Sequence, residues 1–212
     1  MKVLMLNGSG NANGSTRAGL DIMADVFAAE GIETEIVCVG AKPVRDCLGC
    51  GKCAEKGKCV FQDDGVNDFV EKAAIADGFI FGTPVYFAHP SGRIQSFLDR
   101  VFFSDLWGTG AAAFRHKPAA AIVVARRGGA STAYDVMNKY FGNTQMINVG
   151  STYWNEFHAL TKEDVPKDPE GVQTLCNLAR NLSWVMRCLK AGRDAGCQPP
   201  VAEATAMTNF VH

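Results

Sequence analysis

The sequence contains no apolar run long enough to cross a bilayer as a helix, which excludes a helical membrane span. It carries no surplus of either charge. Its 21 Lys and Arg face 22 Asp and Glu, so no broad attraction to DNA, RNA or anionic lipid is implied. The apolar stretch Met1–Leu6 lacks a small-residue cleavage pattern and runs straight into glycines. It reads as a strand and not as a signal peptide, and the expected location is the cytoplasm. Eight cysteines without an export signal point to free thiols or metal ligands and away from disulfides. No Ser/His/Asp set has a recognisable spacing, which disfavours hydrolysis. A P-loop is missing, because Gly14 is followed directly by Ser15 with no lysine between. A dinucleotide fold needs an acid at the end of its second strand, and Cys38-Val39-Gly40 supplies none.

What is present suits a soluble globular domain: 47% apolar and 20% charged residues in a chain of 212, enough for a sizeable core. Met1–Leu6 is apolar throughout, as a strand buried on both faces requires. Thr16–Glu30 has helical spacing at Leu20, Met23, Ala24 and Phe27, and Gly31 stops it. Glu35–Val39, Gly78–Pro84, Ala119–Ala125 and Met146–Val149 predict four more strands. Val66–Ala76, Gly92–Val101 with Ser91 as cap, Ser131–Phe141 and Gly171–Ala191 predict helices. The alternation predicts an α/β fold. Its five-stranded parallel sheet would have the flavodoxin-like order 2-1-3-4-5 and helices on both faces. Residues 1–195 form the expected domain and 196–212 a tail. In such sheets ligands sit beyond the carboxyl ends of the strands, so the loops after strands one, three and four are the candidate site.

The first loop runs from Gly8 to Thr16. Glycines let backbone N–H groups turn toward an anion, Ser9, Ser15 and Thr16 add hydroxyls, and a helix N-terminus adds partial positive charge. These features suit a phosphate held without a metal ion; an ordinary βα turn is the plainer alternative. The second loop, Thr83 to Gly92, is stiffened by prolines and offers Tyr86 and Phe87 as flat aromatic surface, although composition alone slightly favours both as core residues. Arg126-Arg127-Gly128-Gly129 follows the fourth strand. His89 and His158 read first as structural histidines, and Trp154 first as a core residue. The aromatic stretch Phe102–Trp107 is a candidate oligomer contact.

Cys47-x2-Cys50-x2-Cys53-x5-Cys59 is the sharpest local pattern. Four thiols interleaved with Gly49, Gly51 and Gly57 can wrap one centre, and the tight spacing suits a [4Fe–4S] cluster better than zinc. Free or redox-active thiols are the third reading. Cys38, Cys176 and Cys188 fall in strand or helix patterns and read as packing residues.

The second loop resembles the S-P-V-Y-[FWY]-x-x-P-S-G segment of NADPH-dependent FMN reductases, and the first resembles the same family's G-S-P-R-x-x-G-N-T. The likeness extends through Arg126–Gly129 and Ser151–Asn155, roughly residues 1–190. The cysteine pattern resembles the compact motif of iron–sulfur flavoproteins. Flavin reductases without a cluster carry similar cysteines followed by an Asp pair, here Asp63-Asp64. The resemblance implies an FMN phosphate at Ser9, Asn11, Gly14, Ser15 and Thr16. It implies a flavin ring beside Thr83, Pro84, Val85, Tyr86 and Phe87, with Arg126, Arg127, Gly128 and Gly129 on its far side. It also implies NAD(P)H as cosubstrate, a quinone, flavin or other small acceptor, and a homodimer or homotetramer. The cysteines would be metal ligands if a cluster is bound; a non-catalytic flavin carrier is a further alternative. Asn11 stands where the family often has Arg, and Gly10 where it has Pro, so Arg126 or Arg127 is expected to supply charge instead.

Overall fold

The computed structural model describes residues 1–203, 206, 208 and 210; the remaining tail residues lie outside the described residues. Seven strands and six α-helices are found among them, in the order β1 Lys2–Asn7, α1 Ser15–Ala29, β2 Glu33–Cys38, α2 Cys53–Lys56, α3 Val66–Ile75, β3 Gly78–Tyr86, β4 His89–Pro90, α4 Gly92–Thr109, β5 Pro118–Ala125, α5 Ala130–Asn143, β6 Ile147–Asn148, β7 Glu156–His158 and α6 Pro169–Asp194. A 3-10 helix, Lys162–Lys167, precedes α6.

The sheet follows the path β2-β1-β3-β5-β6, with parallel pairing along it. Among the five expected strands this is the expected order, but the expected count of five and the purely parallel pairing need correction. β4 folds back antiparallel on the end of β3, and β7 runs parallel to the upper half of β5. The outer edge is therefore split: β6 pairs with Pro118 and Ala119, β7 with Val123 to Ala125.

Side-chain alternation along β1 divides the core. Leu4 and Leu6 face a phenylalanine-rich layer with Phe69, Phe79, Phe81, Phe97, Phe102, Phe114 and Phe141 under α3, α4 and α5. Val3 and Met5 face Leu20, Met23 and Phe27 of α1 and Leu175, Leu178 and Leu182 of α6. β5 is buried at every position, as a strand covered on both faces must be. α4 runs two turns beyond its expected end, and the stretch Phe102–Trp107 lies in it, with Phe102 packed in the core and Trp107 exposed. The expected core residue Trp154 is 56% exposed, and Cys188 is exposed too; both readings are corrected. None of the described helices is long and apolar enough to cross a membrane.

Candidate functional site

β1 delivers the buried Asn7 to the carboxyl edge of the sheet, and a relay of side-chain turns builds the loop beyond it. Asn7 Oδ1 accepts from Ser9 N at 3.1 Å, Ser9 Oγ from Asn11 N at 3.1 Å, and Asn11 Oδ1 from Asn13 N at 3.0 Å. Asn7 Nδ2 closes the turn on Asn11 O at 3.4 Å. Asparagine at position 11 therefore shapes the loop through its own carbonyl oxygen. Gly14 then caps α1 in an extended conformation with no side-chain cap. The first N–H groups of a 15-residue helix are left for a ligand, with Ser15 and Thr16 hydroxyls beside them.

These residues form one end of a cleft of about 550 Å³, within the usual range for small-molecule sites. Pro84, Val85 and Tyr86 make one wall, Val124 and Arg126 lie at the end of β5, and residues 159–163 make the opposite wall. The structure thus brings together Ser9, Asn11, Gly14, Ser15, Thr16, Pro84, Val85, Tyr86 and Arg126.

The other expected residues are elsewhere. Thr83 is buried below the cleft, where its hydroxyl accepts from Ser91 N at 3.1 Å. Phe87 and Ala88 are the two central residues of the β3–β4 hairpin, both at positive φ (51° and 60°), and the Phe87 ring is fully exposed. Arg127, Gly128 and Gly129 pass outside the lining. The Arg127 carbonyl is tied to His158 Nε2 at 3.0 Å, and Gly129 caps α5.

Three contributors escaped the sequence reading. Residues 159–163 are held by a capping box between Thr161 and Asp164, a Thr-x-x-Asp spacing visible in the sequence. Lys167 and then the Thr161 backbone N–H hold the Asp164 carboxyl down to about 2. Arg93 lies against Gly10 and donates to the carbonyls of Gly40 and, at 3.0 Å, Lys42. Arg100, on the same helix, reaches the cysteine loop.

All four cysteines of the loop line one small cavity, with Leu48, Phe61, Phe103 and Arg100 around them. Gly49, Gly51 and Gly57 take positive φ (60°, 69° and 67°), which lets the chain coil around it. Burial pushes the Cys53 thiol up. Among the described residues no three His, Cys, Asp or Glu side chains converge tightly enough to grip one metal ion.

Residues 1–159 match the family model described as NADPH-dependent FMN reductase. The chain is similar to an iron–sulfur flavoprotein of Methanocaldococcus jannaschii, 32% identical over 202 residues that span 90% of this chain and 100% of the relative. Among solved structures it resembles RosB with bound 8-demethyl-8-formylriboflavin-5'-phosphate (TM-score 0.69, 16% identity, covering 100% of this chain and 94% of that one). It also resembles a flavodoxin, a WrbA-like protein of Agrobacterium tumefaciens (TM-score 0.59, 17% identity, 88% and 96% covered).

Proposed function

Because the chain belongs to the NADPH-dependent FMN reductase family, we propose that it is an FMN-dependent oxidoreductase taking electrons from a reduced nicotinamide and passing them to a small acceptor such as a quinone or a free flavin. One observation carries this reading: a single cleft joins an uncapped helix N-terminus rich in hydroxyls to an apolar slot with Pro84 and Val85 on one wall and Leu160 on the other. The donor set fits a flavin mononucleotide. The phosphate end would lie at Ser9, Ser15, Thr16 and the first amides of α1, where no lysine or metal ion is required. The ring end would lie against Pro84, Val85 and Tyr86. Bound FMN would supply the capacity to accept hydride and release electrons.

The chain's own residues bind and orient. The asparagine relay takes up the Ser9, Asn11 and Asn13 amides and fixes the shape of the loop, which leaves the first amides of α1 to face the anion, and Arg126 adds positive charge at the rim. Pro84, Val85 and Leu160 would give the ring an apolar slot. No side chain is needed as general acid, because the hydride chemistry would belong to the flavin.

A second reading adds iron–sulfur electron transfer, favoured by the four thiols around one cavity. The tight spacing of Cys47, Cys50 and Cys53 supports a cluster over zinc, whose sites usually pair two separated C-x2-C hooks. The exposed Tyr153–Trp154 pair, with ring centroids 5.9 Å apart, supports a homodimer or homotetramer. Eight free thiols support a cytoplasmic setting.

The test is anaerobic purification with flavin and iron analysis, followed by NAD(P)H oxidation with a quinone present. Bound FMN and quinone-dependent NAD(P)H consumption are expected. FMN-loaded protein that consumes no NAD(P)H with any acceptor would contradict the nicotinamide-linked enzyme.

A further inference from the structure

Among the four cysteines of the cavity, Cys59 is held differently from the rest. Its backbone is clamped by Asn67 of α3, whose Oδ1 accepts from Cys59 N and whose Nδ2 donates to Cys59 O, both at 3.0 Å. Its sulfur accepts from two arms of one guanidinium, Arg100 Nε at 3.4 Å and Nη2 at 3.3 Å. Arg100 is a charged side chain only 1% exposed, and it lines the thiol cavity itself. Burying such a charge is costly unless it is paired and hydrogen-bonded. The pairing is present: Nη1 contacts Asp64 Oδ2, and Nη2 also reaches the Phe61 carbonyl. Arg100 and Arg45 both lie over the Phe61 ring, with guanidinium carbons 5.2 and 4.9 Å from its centroid. Arg45 in turn pairs with Asp63 at 2.9 Å. Asp64 Oδ1 is buried without a partner, so the carboxylate leans on Arg100 alone.

A bland salt bridge would not need a guanidinium that divides its donors between a carboxylate and a sulfur. We propose that Arg100 is a positioning residue for the redox centre of the thiol cavity: it fixes the Cys59 corner and stabilises negative charge added there, while Asp64 opposes that charge. This inference rests on the iron–sulfur reading proposed above. Hydrogen bonds to the ligating sulfurs and nearby charge both set the potential of such centres. One electron entering the centre adds one negative charge beside the Arg100–Asp64 pair. Losing the arginine disfavours that charge, and losing the carboxylate favours it.

The experiment compares wild type, Arg100→Gln, Arg100→Lys and Asp64→Asn as full-length, anaerobically reconstituted protein. Iron and sulfide are counted, and the one-electron potential is read by titration with dithionite as the electron donor. Arg100→Gln is expected to shift the reduction equilibrium at least tenfold, 59 mV, toward lower potential. Asp64→Asn should shift it the opposite way, and Arg100→Lys should fall between wild type and Arg100→Gln because it keeps the charge but loses the fork. Should Arg100→Gln fail to fold or hold iron, the Asp64→Asn and Arg100→Lys shifts decide. Iron-loaded variants with unchanged potentials, or with shifts all of one sign, overturn the role of Arg100 and leave the cluster reading intact. Wild type that takes up no iron overturns both.

Discussion

Gly8 sits where the phosphate loop comes closest to α4. A Cβ at this residue would fall 2.4 Å from Ile94 Cδ1 and 2.7 Å from Ile94 Cβ. The backbone has little room to yield, because Gly8 N donates to Gly82 O at 2.8 Å and Gly8 O accepts from Ser91 Oγ at 2.7 Å. Gly8→Ala is therefore expected to lower stability by about 1–3 kcal/mol, read from the urea-denaturation midpoint. Gly10→Ala would meet the Arg93 guanidinium at 3.3 Å, a side-chain end that need yield only a few tenths of an ångström, and should stay near wild type, so equal losses in the two variants would contradict the steric role of Gly8. At this scale the legible residues were those with a pattern. The hydroxyls of the first loop and the four spaced cysteines signalled themselves, whereas Arg93 and Arg100 look like any charged residues of a helix. Phe87 was misread for a related reason: a sequence does not show that a two-residue hairpin will turn its first central residue into solvent.

α4 links the two candidate centres. Arg93 and Arg100 stand two helical turns apart, about 10 Å along the axis, one against Gly10 and the other against Cys59. The helix is anchored at its start by Ser91, whose side chain accepts from Ile94 N and donates to Gly8 O. The opposite wall of the cleft depends on a shorter device, the Thr161–Asp164 capping box ahead of the 3-10 helix. The Asp164 carboxyl is held down to about 2, so its contribution to stability is complete above the ordinary carboxylate range near 4 and is lost as pH falls toward 2. Asp164→Asn should flatten that part of the pH profile of the urea midpoint; an unchanged profile would rule the cap out as its source. The long elements were legible because buried strands and amphipathic helices repeat their apolar spacing over many residues. β4, β7 and the 3-10 helix were not, since two to six residues carry too little periodicity. The places of β4 and β7 are set by pairing with the ends of β3 and β5.

Over the whole molecule, the sheet separates two layers, and the cleft opens at its carboxyl edge, with the thiol cavity on the phenylalanine-rich side. The parallel sheet followed from the alternation of elements, and its strand order from the flavodoxin-like pattern that this alternation suggests. The split outer edge did not, because β7, only three residues long, carries too little periodicity to be read as a strand. In the proposed function, the loop from Gly8 to Thr16 and the start of α1 hold a phosphate carried by a flavin. The most direct measurement is equilibrium binding of FMN and of riboflavin, which lacks that phosphate, followed by quenching of flavin fluorescence. FMN is expected to bind with a micromolar or lower Kd, and riboflavin about 100-fold more weakly, ~2.7 kcal/mol. Equal affinity for the two, or no binding of either, would contradict the account.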